Sequence, residues 1–288
     1  MKSLASTLQP EYDSRVWSQD DRIGSGRVAM IVEYNGARFH GFQTQQEGVP
    51  SVQAALEKAL SRVADEPVSL VCAGRTDTGV HATHQVIHFD TNSVRSSRGW
   101  VMGANTFLDD DIAVHAVRAV PESFHARYSA SARRYRYLIY NSSIRPALFR
   151  TSLTWNYRPL DAELMHEAAQ VLVGEHDFSS FRAAGCQSNT PFRNVHSVQV
   201  QRRGRLVMID IQANAFLHHM VRNIAGVLMA VGCGKQPASW VGELLEHRDR
   251  KLGGATAPAY GLYFVDVTYD PSYGLPSSHL GPAFLDLL

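Results

Sequence analysis

Residues Cys72 to Ala82 read Cys-Ala-Gly-Arg-Thr-Asp-Thr-Gly-Val-His-Ala, a polar loop held between two stretches that favour β-structure. Val68 to Cys72 is a short apolar run and Gln85 to Asp90 reads as another strand, so Gly74 to Val80 has to turn between them. Gly74 and Gly79 bracket Arg75, Thr76 and Asp77. Glycine permits the backbone conformations that lift a carboxylate to a loop tip instead of burying it in a ladder. A chain built this way places its polar chemistry on a turn at the end of a sheet, and Asp77 is the candidate reactive group. Taken alone, the loop also reads as an Arg75–Asp77 ion pair beside an Asp-x-Gly turn, the commoner use of such residues.

The rest of the chain alternates strand and helix patterns. Arg27 to Tyr34 has period two and reads as a first strand. Ser51 can cap a helix whose Val52, Leu56, Ala59, Leu60 and Val63 recur at helical spacing. A helix over Gly99 to Phe107 and a strand over Ile112 to Val120 complete a first unit. In the strand Arg133 to Tyr140, Arg133, Tyr135, Tyr137 and Ile139 share one face, and Arg134 and Arg136 point the other way. Asp161 caps a helix through Val173 with Gly174 as its stop and Leu164, Ala168, Val171 and Leu172 as its buried stripe. Val195–Gln201 and Leu206–Ala213 form a hairpin turned at Arg203-Gly204. A helix from Phe216 to about Val231 gathers His219, Arg222, Asn223 and Gly226 opposite its apolar residues. Ser239 to His247 is a shorter helix and Gly261 to Tyr269 a closing strand. This order predicts an α+β protein of two similar units, residues 26–130 and 131–288, with helices on one face of antiparallel sheet. Residues 1–25 are polar and poorly patterned and read as a flexible arm.

Charge along the chain says more than its sum of +1. Ser123 to Leu160 holds no Asp or Glu but has Arg127, Arg133, Arg134, Arg136, Arg145, Arg150 and Arg158. Phe178 to Ile209 is likewise acid-free and carries Arg182, Arg193, Arg202, Arg203 and Arg205. The arginine fork suits bidentate phosphate contacts, and Tyr128, Tyr135, Tyr137, Tyr140, Phe149, Trp155 and Tyr157 are interleaved with it. Such a surface fits RNA or single-stranded nucleic acid. No apolar run approaches the ~20 residues of a membrane span, and no secretory signal opens the chain, so a cytoplasmic location is expected. Three widely spaced cysteines without a Cys-x-x-Cys pair predict reduced thiols.

Gly74 to His81 closely resembles the active-site signature of the tRNA pseudouridine synthase A family. The resemblance extends through Arg133–Tyr140, Phe216–Gly226 and Gly261-Leu262-Tyr263, and so covers roughly residues 27 to 288. It implies a continuous mixed but mainly antiparallel sheet with a catalytic cleft between the halves, and conversion of uridine to pseudouridine at tRNA positions 38 to 40 by a homodimer, without cofactor or metal. By resemblance Asp77 is catalytic, Arg222 pairs with it, and Tyr135 stacks on the target uracil. Leu262 forms an apolar floor and Arg75 contacts RNA; Arg134 and Arg136, on the arginine-rich strand, are assigned to the docking surface. Asp77 can open the reaction by attacking the base, by attacking the sugar or by removing a sugar proton. Thr78 departs from the family's usual alanine.

That threonine creates Asp77-Thr78-Gly79, the triplet of aspartic proteases, which need two such loops around one water; a second is absent. His81, His84 and His88 fit no strong metal-ligand spacing. The remaining alternative is a tRNA-binding protein without catalysis, which an Asp77 remote from any cleft would favour.

Overall fold

The computed structural model describes residues 22–287 apart from Gly24, Glu47, Ser277 and His279. In chain order the elements are β1 (Arg22–Ile23), β2 (Gly26–Tyr34), α1 (Val52–Ala64), β3 (Val71–Cys72), β4 (His81–Thr91), β5 (Arg95–Ser96), α2 (Ser97–Phe107), β6 (Ile112–Ala119) and β7 (Ala132–Asn141). Then follow β8 (Thr154–Asn156), α3 (Ala162–Ala169), β9 (Gly174–Asp177), β10 (Phe192–Arg203), β11 (Leu206–Ala213), α4 (Met220–Gly232), α5 (Trp240–His247) and β12 (Leu262–Thr268). Among the described residues one sheet of ten strands runs β6, β2, β4, β12, β7, β11, β10, β9, with β3 added to β4 and β8 to β7. Most pairs are antiparallel; β12 with β4 and β7 with β8 are parallel.

The closing strand is the seam of the molecule. β12 lies between β4 of the first half and β7 of the second, with Tyr263 opposite His81 and Phe264 opposite Ala82 on one side and Leu262 opposite Tyr137 on the other. A strand made last in the sequence therefore joins both halves. The five α-helices of the described residues all feed buried residues, among them Leu56, Trp100, Met165, Ile224 and Leu244, into one apolar cluster. A smaller cluster of Leu138, Leu153, Tyr263 and Val265 meets Leu280, Phe284 and Leu285 of the C-terminal segment. The helices thus share one sheet face, as the burial of one apolar stripe per helix requires.

Several boundaries differ from the sequence reading. β4 begins at His81 rather than Gln85, because its polar residues are buried with partners: His81 Nδ1 accepts from Gly36 N at 3.0 Å, Gln85 Nε2 donates to the Gly74 carbonyl at 2.7 Å, and His88 Nδ1 accepts from Ala126 N at 3.1 Å. The third helix ends at Ala169 and tightens into a 3₁₀ turn to Leu172, which leaves Val171 exposed rather than in the stripe. α4 begins at Met220, not Phe216: Met220 N bonds to the Leu217 carbonyl, and His219 caps the helix in a left-handed conformation. Phe216 and Leu217 pack inward from a turn and only mimic helical spacing. Of the expected arm, residues 1–21 lie outside the described residues, whereas Arg22–Ile23 pairs with Arg95–Ser96.

Candidate active site

The Asp77 loop, residues 73–80, is short and held at many points. Val71 and Cys72 pair with His88 and Ile87, which returns the chain along β4. Val80 N bonds to the Asp77 carbonyl at 3.1 Å, and Gly79 has φ +79°, the left-handed turn that lets the loop reverse. Thr76 is fastened from two sides, its carbonyl accepting from Phe42 N at 3.0 Å and its Oγ1 lying 2.8 Å from the buried Tyr34 hydroxyl. Gly41, at φ +95°, allows this approach, since a Cβ there would stand 2.9 Å from the Thr76 carbonyl oxygen. Arg133 Nη2 reaches the Ala73 carbonyl at 3.3 Å and ties the loop to β7. With its neighbours fixed, Asp77 projects its carboxylate while its side chain remains 28% exposed.

The turn before α4 closes on that carboxylate. His218 Nε2 is 3.3 Å from Asp77 Oδ1, His219 Nε2 is 3.3 Å from Oδ2, and Arg222 Nη1 is 3.6 Å from Oδ2. Arg222 divides its guanidinium, with Nε donating to the Ala257 carbonyl at 2.9 Å. Ala257 N returns a bond to the Arg222 carbonyl at 3.1 Å, so the segment before β12 fixes this residue. Burial pushes the His219 imidazole below its usual pKa against the pull of Asp77, and Arg222 pushes the same way as burial. His219 therefore faces Asp77 mainly as a neutral ring.

Tyr135 stands beneath the loop. Its ring meets Phe216 and Phe264 edge-on, at centroid distances of 5.1 and 4.9 Å, and its hydroxyl lies 3.9 Å from where a Gly74 Cβ would be. Burial, reinforced by Tyr34 and Asp77, raises its pKa far above that of free tyrosine, so it is a protonated phenol. Leu262 is buried at the start of β12, just after the turn that lays Tyr260 against Gly79. Arg75 is exposed, and among the described residues it makes no ion pair with Asp77.

The structure thus gathers Asp77, Arg222 and Tyr135 at the seam, with Leu262 on the adjoining strand. It does not bring Arg134 and Arg136 there. Both point to the opposite sheet face, where Arg134 Nε and Arg136 Nε approach the two oxygens of buried Asp210 at 2.6 and 2.8 Å. Asp210 follows directly on the second acid-free run and lies across the ladder from Arg136, a neighbour that linear charge counting does not reveal. The sequence reading missed His218 and gave no role to His219. The available signal was an adjacent histidine pair just ahead of an apolar helix.

Asp77 thus stands on a braced loop where β4, β12 and β7 adjoin, with nitrogens of His218, His219 and Arg222 at 3.3–3.6 Å from its two oxygens. A family model described as tRNA pseudouridine synthase matches residues 30–129 and 168–270. A tRNA pseudouridine synthase A of Legionella pneumophila is 60% identical over 259 residues, covering 90% of this chain and 98% of the relative. The one from Pseudomonas aeruginosa is 57% identical over 262 residues, 91% of this chain and 92% of its own, and that of Shewanella amazonensis is 58% identical over 259 residues, 90% and 99%. The chain belongs to the tRNA pseudouridine synthase family.

Proposed function

We propose that this chain isomerises uridine to pseudouridine in the anticodon stem-loop of tRNA, with Asp77 starting the reaction. The bond from C1′ to N1 breaks, the uracil turns, and C5 bonds to C1′; the C5 proton leaves and N1 gains one. No external oxidant, reductant or energy source enters this balance. The observation that carries the reading is the setting of Asp77, on the loop leading into β4, 3.3 Å from each of two imidazole nitrogens and 3.6 Å from Arg222 of α4. Arg222 and Tyr135 serve the reacting nucleotide, and Leu262 supports the base.

Docking of the RNA draws on exposed aromatic and arginine pairs. Tyr128 is 75% exposed with the Arg127 guanidinium 5.6 Å above its ring, and Tyr157 is paired with Arg158 at 5.4 Å. Such pairs offer a stacking face and a phosphate contact together. Arg75 is exposed beside Asp77 and free to reach the strand that carries the target. Ile144, Leu148 and Phe149, exposed between β7 and β8, support a homodimer. No helix among the described residues is long and apolar enough to cross a membrane, and a cytoplasmic site of action suits a tRNA substrate.

The test is incubation of the purified chain with unmodified tRNA tritiated at uridine C5. Isomerisation releases the label to water, and mapping of the product places pseudouridine in the anticodon stem-loop. Retention of all label by fully bound tRNA would overturn the proposal.

A further inference from the structure

Residues adjacent in a helix or strand send their side chains in different directions. His218 and His219 do not. The left-handed backbone of His219, φ 59° and ψ 6°, redirects the chain between them, and the two rings lie 4.0 Å apart by their centroids, both against Asp77. A non-glycine residue is disfavoured in this region, so the packing around the turn imposes the arrangement. One nitrogen of each ring and one Asp77 oxygen all fall within 4.8 Å of one another.

A zinc-type ion sits about 2.0–2.2 Å from imidazole nitrogen and carboxylate oxygen, which separates tetrahedral ligands by roughly 3.3–3.5 Å. Each ring nitrogen stands at that spacing from a different Asp77 oxygen, His218 Nε2 at 3.3 Å from Oδ1 and His219 Nε2 at 3.3 Å from Oδ2, so an ion between the rings meets the carboxylate through either oxygen or both. Two imidazoles with one carboxylate suit Zn²⁺ and its first-row neighbours, and suit poorly the oxygen-seeking Mg²⁺ and Ca²⁺. The His218 side chain is 43% exposed, which opens the cluster to an entering ion and leaves room for water as a further ligand.

We propose that Asp77, His218 and His219 form a chelating site for a divalent transition metal of the zinc type, and that filling it blocks the catalytic carboxylate. The ion takes the electron pair that Asp77 needs for its first step and so acts as a reversible inhibitor, not a cofactor. Arg222, 3.6 Å from Asp77 Oδ2, places a positive charge beside the ion and holds the affinity down. Binding stands independently of the catalytic reading; the loss of turnover rests on it.

The test begins without RNA. The chelator-treated full chain is titrated with Zn²⁺ alone by calorimetry and with Co²⁺ alone by visible absorption. One equivalent should bind, with the intense cobalt bands of low coordination. His218→Gln, at a half-exposed position that tolerates change, and Asp77→Asn should each weaken Zn²⁺ binding by at least about tenfold, since even outer partners of metal ligands are worth 10–100-fold. No binding by the parent chain, or equal binding by the parent and both variants, overturns the site, the latter because the ion then lies elsewhere. Zn²⁺ should next stop tritium release from tRNA in proportion to occupancy. Release that continues with the site filled overturns the block. Should the chain release no tritium under any condition, the calorimetry still decides the site by itself.

Discussion

At the residue scale, Arg222 stands with Nη1 3.6 Å from Asp77 Oδ2 and Nε bonded to the Ala257 carbonyl, so under the proposed mechanism the two side chains are expected to act as a unit. Asp77→Asn keeps the shape and removes the charge, so tritium release should vanish with tRNA affinity near the parent value. Arg222→Lys loses both the Ala257 contact and the planar fork. The lost charge-assisted bond from Arg222 Nε to the Ala257 carbonyl is worth about 1.5–3 kcal/mol, which corresponds to a roughly ten- to hundredfold fall in single-turnover rate if it positions the guanidinium. The two losses should not add in a double-mutant cycle, and additive losses would separate the residues. Tyr135 poses a different question, because its hydroxyl makes no hydrogen bond among the described residues while its ring is packed on Phe216 and Phe264. Tyr135→Phe should therefore change stability by less than about 0.5 kcal/mol in denaturant unfolding. Slower turnover in that variant marks a proton-transfer role, and unchanged turnover confines Tyr135 to packing and stacking.

At the scale of the elements, α4 is held where it must be by a glycine. A Cβ on Gly226 would stand 1.9 Å from the Ala255 carbonyl oxygen, and two residues further on Ala257 exchanges hydrogen bonds with Arg222. Gly226→Ala should destabilise the fold by about 1–3 kcal/mol through overpacking. It should also depress turnover beyond any effect on tRNA binding, since the displaced segment is the one that holds Arg222; unfolding curves and single-turnover rates measure the two separately. On β7 the reverse side of the strand carries its own structural role. Arg136→Ala leaves buried Asp210 with Arg134 alone. A loss of about 1–3 kcal/mol in unfolding free energy is expected from the weakened partner set. If the residue instead serves as a phosphate contact, stability holds while the slope of log affinity for tRNA against log salt becomes shallower by about 1.

For the molecule as a whole, the sheet that joins the halves also buries titratable groups, and these set its response to acid. Burial on β4, with Arg27 and His125 adding repulsion against the milder attraction of Asp90, lowers the His88 pKa to about 4. The unfolded chain takes up this proton near pH 6.5 and the folded one only near 4, so His88 lowers stability progressively as pH falls through that window and has no effect above it. Thermal midpoints measured from pH 7 to 4 should decline accordingly. His88→Asn, which can still accept from Ala126 N, should flatten part of the slope; an unchanged slope would assign the acid sensitivity to other groups.

The sequence by itself determined the five helices, the longer strands, the placing of Asp77 on a turn and the family, because each of these is local: alternation, helical spacing, capping at Ser51 and Asp161, and a contiguous signature; the short strands β1, β5, β8 and β9 carry no such pattern and are not legible from sequence. The resemblance of the contiguous segments Arg133–Tyr140 and Phe216–Gly226 to the family also named Tyr135 and Arg222 for the site. Only the tertiary structure decided what surrounds them. β12 enters between β4 and β7 as a non-local pairing that no window of sequence contains, and the histidine pair meets Asp77 from more than a hundred residues away. The extension of β4 over His81 and His84 was hidden for the same reason, since buried polar residues are tolerated only where distant groups satisfy them, and the partners of His81 and Gln85 come from other segments. Likewise Arg134 and Arg136 look like free charges until Asp210 arrives across the ladder. Periodicity fixes which face a side chain takes, but long-range strand pairing fixes what it meets there.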